Sequence, residues 1–199
     1  MIPSRRQNEG DSRPPDQELK IVFAGPMGAG KTTAIRAISD VPPVSTEVEN
    51  NDRAACGKES TTVALDYGQL LLQDGTAVRL YGTPGQDRFS FMWEILCRGA
   101  MGVVLLIDGS SATALSELRT YAETFHRLNS RQPLVIGVGR TADADGRQLD
   151  EYVRVLTSRG IVAPVFNVDV RQREDVLLLI ETLLCILEAQ VPEANHAAS

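Results

Sequence analysis

Residues 25–32 of the chain read GPMGAGKT, and this stretch decides the fold. It fits the pattern G-x-x-x-x-G-K-[ST] of a phosphate-binding loop without a mismatch. The apolar run 20–24 precedes it and the segment 32–38, with helical spacing, follows it, as such a loop requires. Glycines let backbone N–H groups turn inward toward phosphate oxygens, and the following helix adds the positive end of its dipole. The stretch therefore predicts a phosphate site between a buried strand and a helix.

Two side chains of this loop have predicted roles in holding a nucleotide. Lys31 supplies a positive charge toward the β- and γ-phosphates, and the Thr32 hydroxyl is a predicted ligand of Mg²⁺. The predicted phosphate contacts of the loop and of the first helical turn are Gly25, Met27, Gly28, Ala29, Gly30, Lys31, Thr32 and Thr33.

Length, composition and charge exclude several classes of protein. The 199 residues are 43% hydrophobic and 23% charged, which is typical of one globular domain. We expect this domain over 19–189, between a disordered leader, 1–18, and a disordered tail, 190–199, because both ends are polar. A net charge of −6 argues against a nucleic-acid partner. Without long apolar runs or lipidation signals we expect no direct membrane anchor, and three scattered cysteines predict a cytoplasmic protein.

Strand-like and helix-like segments alternate along the chain. The strand-like runs are 20–24, 62–72, 76–81, 101–107, 134–138 and 162–168, and the helix-like ones are 32–38, a short helix within 82–94, 112–129, 145–158 and 174–189. This order predicts an α/β fold whose six-stranded, mostly parallel sheet is covered by helices on both faces. Asp74 and Gly75 predict a tight hairpin, so that one edge strand is antiparallel. Residues 40–60 are polar and are expected to form a long loop.

Two further motifs resemble the switch regions of Ras-like small GTPases. Residues 81–89 read YGTPGQDRF and resemble the switch II pattern W-D-T-A-G-Q-E-x-F, and residues 62–67 read TVALDY and resemble the end of switch I. The order of phosphate loop, long loop with a threonine, hairpin and T-x-G-Q agrees with that family over roughly 19–189. Within the family, the chain looks most like the bacterial MglA-type branch, in which the switch II aspartate is also replaced.

The resemblance implies a Ras-like, three-layer P-loop NTPase fold that binds GTP or GDP with Mg²⁺ and hydrolyses GTP. Thr62 would ligate Mg²⁺ and sense the γ-phosphate, with Thr61 as a rival for this role. Gly85 would donate its backbone N–H to that phosphate. Gln86, the predicted catalytic residue, would orient the attacking water.

The departures from the family pattern bear on the metal and on the rate of hydrolysis. Gly82 stands where the family has the switch II aspartate, so the usual carboxylate near Mg²⁺ is missing. Asp66 is a candidate metal-site replacement, because it shares a strand face with Thr62 and its strand neighbours the one that leads into switch II. The alternative is that Asp66 is a solvent-facing strand residue. Met27 replaces a glycine that usually lies against the switch II glutamine, and this bulk predicts slow hydrolysis.

The base-recognition motif is the most altered one. The family reads guanine with N-K-x-D, and the matching residues 139–142 read GRTA. Arg140 could stack its planar guanidinium on the base, and Asp143, one residue late, could accept from guanine if the loop bulges. Backbone N–H groups of Val170 and Arg171, in the counterpart of the family's S-A-K motif, would contact the base oxygen. The alternative is a surface loop that no longer selects guanine.

These features leave two main hypotheses. The first is a GTP-binding molecular switch with slow, Mg²⁺-dependent hydrolysis, whose switch loops, about 40–62 and 82–94, bind a roadblock-type regulator or another effector. The second is a pseudo-GTPase, a nucleotide-binding interaction module with little hydrolysis. A small-molecule kinase also has a phosphate loop and a parallel sheet, but the hairpin and the T-P-G-Q sequence argue against it.

Overall fold

One sheet with helices on both faces forms the fold in the computed structural model of the chain. The structure describes residues 19–42, 44–49, 62–86, 89–141 and 147–190. Its strands are β1 (Leu19–Ala24), β2 (Val44–Glu49), β3 (Thr62–Leu71), β4 (Ala77–Gly82), β5 (Gly102–Asp108), β6 (Leu134–Gly139) and β7 (Val165–Asn167). Its helices are α1 (Lys31–Ile38), α2 (Ser90–Cys97), α3 (Ala114–Leu128), α4 (Arg147–Thr157) and α5 (Arg173–Gln190). Within these ranges no helix has both the length and the apolar character needed to cross a bilayer.

The strands lie in the order β2-β3-β4-β1-β5-β6-β7. Strands β4, β1, β5, β6 and β7 are parallel, and β3 is antiparallel to β4 and to β2. The predicted hairpin joins β3 to β4, with Gly75 in a left-handed conformation (φ 83°) and the Thr76 N–H donating to Asp74 Oδ1 at 2.8 Å. The mostly parallel α/β sheet of a Ras-like P-loop fold is therefore confirmed.

One segment of the sheet corrects the expected loop over residues 40–60. Part of that range forms β2, which pairs antiparallel with β3 over its whole length, so β3 is not the edge strand and the sheet has a strand beyond the six expected. The sequence of β2, VSTEVE, has only two apolar residues and two glutamates. Edge strands commonly carry charged residues and bury little, so the apolar alternation that marks inner strands is weak here.

Two apolar layers cover the faces of the sheet. Along β1, Val22 and Ala24 belong to the layer that packs against α2 and α3, whereas Ile21 and Phe23 belong to the layer that packs against α1 and α5. All four side chains are fully buried. Because the inner strands are buried on both faces, the carboxyl edge of the sheet is where ligand chemistry has room.

Helix α1 is fastened to β3 at its carboxyl end. The Asp40 N–H donates to the Gln69 carbonyl at 2.7 Å, and the Gln69 N–H donates to Ser39 Oγ at 3.1 Å. The helix thus starts at the phosphate loop after β1 and ends on a strand two places away in the sheet. This path carries the first turn of α1 over the carboxyl end of β4.

Candidate functional site

The phosphate loop holds its lysine under the backbone. Gly30 takes a left-handed conformation (φ 95°), and α1 begins at the next residue. The Lys31 side chain is buried, and its Nζ donates to the carbonyls of Gly25 (2.8 Å) and Pro26 (2.7 Å). The ammonium group is therefore already positioned beneath the loop that the sequence assigns to phosphates.

Burial changes the acidity of this lysine. Removal of the ammonium group from water lowers the pKa of Lys31 to about 8, and the negative charge of Asp66 opposes part of this shift. A bound phosphate would favour the charged form and raise the pKa again. Protonation of Lys31 is therefore linked to anion binding at this loop.

A carboxylate from β3 meets the hydroxyl of the phosphate loop. Thr32 Oγ1 donates to Asp66 Oδ2 at 2.5 Å. Because the hydroxyl gives its proton to Asp66, its lone pairs stay available for a cation, and so does the second oxygen of the carboxylate. The candidate pair of metal-binding oxygens is thus assembled from residues that lie 34 positions apart.

The register of β3 against β4 places Asp66 directly opposite Gly82. A Cβ atom built on Gly82 would lie 3.0 Å from Asp66 Cβ and 3.2 Å from Asp66 Oδ2. The Asp66 side chain therefore fills the space into which an aspartate at position 82 would extend. The two strands have room for one acidic side chain at this point, and the chain carries it on β3.

The side-chain oxygens of Asp66 and Thr32 are donor atoms of the kind that Mg²⁺ binds. Mg²⁺ prefers oxygen ligands and is commonly held by one or two protein groups together with waters and nucleotide phosphates. Among the described residues no group of three or more His, Cys, Asp or Glu side chains is arranged to hold a metal by itself. A hydroxyl and a carboxylate beside a phosphate loop suit a metal that arrives with a nucleotide.

The switch II segment lies against the phosphate loop. Gln86 is exposed, and its Nε2 lies 4.0 Å from the sulfur of Met27, whose side chain is 76% exposed. The structure therefore brings together the predicted catalytic glutamine and the side chain predicted to hinder it. Gly85 and Thr83 line a cavity of about 420 Å³ with the phosphate loop and Asp66.

The structure does not bring Thr62 to this cluster. Thr62 is the first residue of β3 and pairs with Glu49 of β2. It precedes Asp66 by four positions, which corresponds to roughly 13 Å along a strand. Thr61, its rival, lies outside the described residues, as does Asp143.

A second cavity, of about 660 Å³, adjoins the phosphate loop at Arg140. It lies at the carboxyl ends of β5, β6 and β7 and has the volume of an ordinary small-molecule site. Its lining residues are Ala29, Thr33, Ile107, Asp108, Gly139, Arg140, Thr141, Asn167, Val168, Asp169, Val170, Arg171 and Asp175. The three described residues that were predicted to contact the base, Arg140, Val170 and Arg171, thus line one cavity next to the phosphate loop.

Arg140 links the two cavities. It has a left-handed backbone (φ 54°), donates to the Gly28 carbonyl at 3.2 Å and forms an ion pair with Asp108. Desolvation alone would raise the pKa of Asp108, but the hydrogen bonds from Ser110 and Arg140 together outweigh it and lower that pKa. The guanidinium is therefore tied to the phosphate loop and to the end of β5, which limits its freedom to stack on a base.

Arg171 is also engaged. Arg171 makes a two-point ion pair with Asp169, with Nε–Oδ1 at 2.8 Å and Nη2–Oδ2 at 2.6 Å. These hydrogen bonds lower the pKa of Asp169 to about 2. The Arg171 N–H also donates to Asp169 Oδ1, at 3.0 Å, so contact with a base oxygen would require an exchange of partners.

Sequence reasoning missed several polar residues of this cavity, among them Asp108 and Asn167. Asp108 is the last residue of the buried strand β5. Because ligands bind at the carboxyl ends of parallel strands, this position could have identified Asp108 from the sequence. Asn167 ends β7 and accepts a hydrogen bond from the Thr141 hydroxyl at 2.7 Å. Asn167 lies within the predicted strand 162–168, and no motif there marks it as a residue of a binding site.

Moving the carboxylate from Asp66 on β3 to position 82 on β4 tests the prediction that Asp66 helps to hold the metal. Asp66→Ala should lower Mg²⁺-dependent nucleotide affinity by about 10- to 100-fold, the usual effect of removing a group that supports a metal. Gly82→Asp alone should destabilise the fold, because its Cβ would approach Asp66 Cβ to 3.0 Å and place two carboxylates together. The double variant Asp66→Gly/Gly82→Asp should recover affinity, because glycine at position 66 removes the close Cβ and the acid then extends from β4 into the same space.

Titrations with a fluorescent GDP analogue, with Mg²⁺ and then with a chelator, measure this exchange. Asp150→Ala, which removes an exposed carboxylate on α4, is the matched control and should bind like the wild type. An Asp66→Ala variant that keeps the Mg²⁺ dependence of the wild type would contradict the assignment. So would a double variant that binds no better than Asp66→Ala.

The pKa of Lys31 predicts a pH dependence of binding. The free protein loses the Lys31 proton as the pH rises through about 8, whereas the bound phosphate holds that proton to higher pH. Affinity for GDP should therefore be full below pH 8 and fall above it, by up to about tenfold per pH unit. The same titration across about pH 7 to 9.5 measures this, and Lys31→Arg, which stays charged, should give a flat profile. A flat wild-type profile would contradict the linkage.

Comparison with known proteins shows similarity to nucleotide-binding families. A family profile described as "conserved hypothetical ATP binding protein" matches residues 43–141. An uncharacterized protein of Methanocaldococcus jannaschii is 32% identical over 96 residues, which cover 47% of this chain and 53% of that protein. The chain thus spans about half the length of this relative.

Ras-related proteins match at lower identity. RAB1BV of Beta vulgaris is 26% identical over 133 residues, or 65% of this chain and 56% of the relative. Rab-27B of Rattus norvegicus is 24% identical over 208 residues, or 92% of this chain and 90% of the relative. These relatives do not belong to the MglA-type branch. With the fold and the phosphate loop, the comparisons imply nucleotide binding and support the Ras-like GTPase superfamily.

Proposed function

We propose that the chain is a GTP-binding molecular switch with slow, Mg²⁺-dependent hydrolysis. The observation that carries the proposal is the contact between Thr32 and Asp66 beside the buried Lys31. A cationic phosphate anchor and two oxygen donors for a metal stand together where a nucleotide would place its β- and γ-phosphates. We propose a single GTPase domain over 19–189.

The phosphate loop would bind the nucleotide largely with groups already in place. Lys31 would exchange one of its two carbonyl partners for a phosphate oxygen, and the start of α1 would add the positive end of its dipole. Thr32 and Asp66 would hold the metal with their side-chain oxygens. When bound, Mg²⁺ neutralises charge on the β- and γ-phosphate oxygens.

Guanine is the proposed base on the strength of the switch-like motif at 81–89. Asp143 is the proposed acceptor for guanine, and Arg140 and the backbone of 170–171 complete the proposed base contacts. The matched profile is named for ATP, but its range, 43–141, lies beyond the phosphate loop and stops before Asp143. The name therefore carries little weight for the choice of base.

Hydrolysis is proposed to be slow because of the contact at Gln86. Gln86 would orient the attacking water, and Met27 occupies space beside its amide. This contact is also the observation that favours the second candidate, a pseudo-GTPase that binds nucleotide with little turnover. Thr62 keeps its proposed role in sensing the γ-phosphate, which requires the start of β3 to move from the position seen here.

Effector binding is proposed for the switch segments, about 40–62 and 82–94. Phe91 and Ile95, one turn apart on α2, are 50% and 59% exposed and offer an apolar contact there. A roadblock-type regulator is the proposed partner if the chain belongs to the MglA-type branch, and a cytoplasmic location is proposed from composition. We propose no nucleic-acid partner, since the net charge is −6.

A titration of the purified chain with fluorescent GDP, GTP and ATP analogues tests the proposal. We expect both guanine nucleotides to bind more tightly with Mg²⁺ than with a chelator, and ATP to bind more weakly than GTP. Single-turnover hydrolysis of GTP should be slow and should fall further in Gln86→Leu, with Gln132→Leu as the control glutamine.

Four results would contradict parts of this proposal. Equal affinity for ATP and GTP would reduce the protein to a nucleotide-binding protein without base selection. Turnover that Gln86→Leu leaves unchanged would contradict the catalytic role of Gln86, whereas tight GTP binding with scarcely any turnover would favour the pseudo-GTPase. No binding of any nucleotide would overturn the proposal.

A further inference from the structure

Met27 is the most exposed of the methionines in the part of the chain that the structure describes. It is 76% exposed, whereas Met92, on α2, is 9% exposed and belongs to the apolar layer that α2 and α3 cover. Met101, just before β5, is partly buried. Oxidants dissolved in water reach exposed thioethers more readily than buried ones, so Met27 is the methionine of these three that a peroxide attacks first.

The Met27 sulfur lies beside the predicted catalytic glutamine. Its distance from Gln86 Nε2 is 4.0 Å. A thioether sulfur is a weak hydrogen-bond acceptor, so this contact holds the glutamine amide only loosely. In the family pattern that the sequence resembles, position 27 is a glycine, and the oxidisable group beside the glutamine is therefore one of this chain's departures from that pattern.

Backbone packing keeps the two residues next to each other. A Cβ atom built on Gly85 would lie 2.5 Å from the Met27 nitrogen and 2.8 Å from the Met27 Cα. The switch II loop thus packs directly on the phosphate loop one residue before Gln86. Because Met27 also lines the cavity that contains Lys31 and Thr32, a chemical change at its side chain acts at the edge of the phosphate site.

We propose that Met27 is a site of reversible oxidation by peroxides and that its sulfoxide restrains Gln86. The inference rests on the proposed function and adds a redox control of hydrolysis to it. Oxidation makes the side chain polar, and the new oxygen extends from the sulfur toward Nε2 as a much stronger acceptor than the thioether. An amide held in this hydrogen bond is not free to orient the attacking water.

The modification is a two-electron transfer of one oxygen atom. A lone pair of the Met27 sulfur attacks one oxygen of hydrogen peroxide, so that a sulfur–oxygen bond forms and the oxygen–oxygen bond breaks. The proton of the transferred oxygen passes to the departing hydroxide, which leaves as water. Sulfur is oxidised and the peroxide is reduced. A methionine sulfoxide reductase reverses the change with a thiol reductant, which ends as a disulfide while the oxygen leaves as water.

Treatment of the purified chain with dilute hydrogen peroxide, followed by mass spectrometry of its peptides, tests the modification. Met27 should be converted to the sulfoxide at least about fivefold faster than Met92, because its exposed fraction is larger by that order. Equal rates of conversion at the two methionines would overturn the inference.

Single-turnover hydrolysis of GTP tests the consequence. The rate should fall by about three- to tenfold after oxidation, the effect expected when one hydrogen bond holds Gln86 in place. Treatment with a methionine sulfoxide reductase should restore the rate, which general damage to the protein would not allow.

Three variants assign the effect to one sulfur. Met27→Leu keeps a side chain of similar volume, and its rate, whatever its level, should not respond to peroxide. Met27→Gln carries a carbonyl acceptor without oxidation and should hydrolyse slowly both before and after peroxide. Met101→Leu removes a methionine at the opposite edge of the sheet and should keep the wild-type response, as the matched control.

The NMR signal of the Gln86 side-chain amide gives a readout that needs no nucleotide. In the wild type it should move downfield on oxidation, as expected for a stronger hydrogen bond. In Met27→Leu the same treatment should leave it in place.

The outcomes separate this inference from the proposed function. A Met27 sulfoxide that changes neither the rate nor the Gln86 signal would overturn the inference while the proposed switch stands. A response to peroxide that persists in Met27→Leu would also overturn it. A wild type that neither binds nor hydrolyses GTP would overturn the proposed function, and the inference with it.

Discussion

The hydrogen bond between Thr32 and Asp66 joins the two parts of the chain on which the site depends. One partner belongs to the phosphate loop, which follows β1, and the other belongs to β3, which is two places away in the sheet. The contact requires α1 to run across β4, and it requires the facing position on β4 to lack a side chain. Gly82 meets the second condition. The absence of the switch II aspartate and the presence of Asp66 on β3 therefore have the same steric cause, because this point between the two strands has room for one acidic side chain.

The sequence was sufficient to predict those features of the fold that depend on a few neighbouring residues. The phosphate loop and the turn at Asp74 and Gly75 follow from the conformational freedom of glycine, and both are confirmed. Asp66 was a candidate because it lies on the same strand face as Thr62. Its position opposite Gly82, however, depends on the register of the hairpin. Strand β2 was missed because an edge strand with two glutamates lacks the apolar alternation of an inner strand.

Contacts between distant residues account for the rest of what the sequence did not reveal. Tyr121 reaches Gly85 across 36 positions, and Arg140 reaches Gly28 across 112. No periodicity or motif encodes such pairs. They arise because α3 and the end of β6 both lie beside the carboxyl edge of the sheet. Together they tie the phosphate loop and the loop after β4 to the end of β6 and to α3.

A crystal structure of the protein with Mg²⁺ and a slowly hydrolysed GTP analogue tests the account most directly. The account predicts that an oxygen of Asp66 lies within about 4 Å of the metal, close enough to hold it directly or through one bound water. It also predicts that Thr32 ligates the metal and that Asp66 remains above Gly82. An Asp66 side chain turned away from the metal, with another carboxylate in its place, would contradict it.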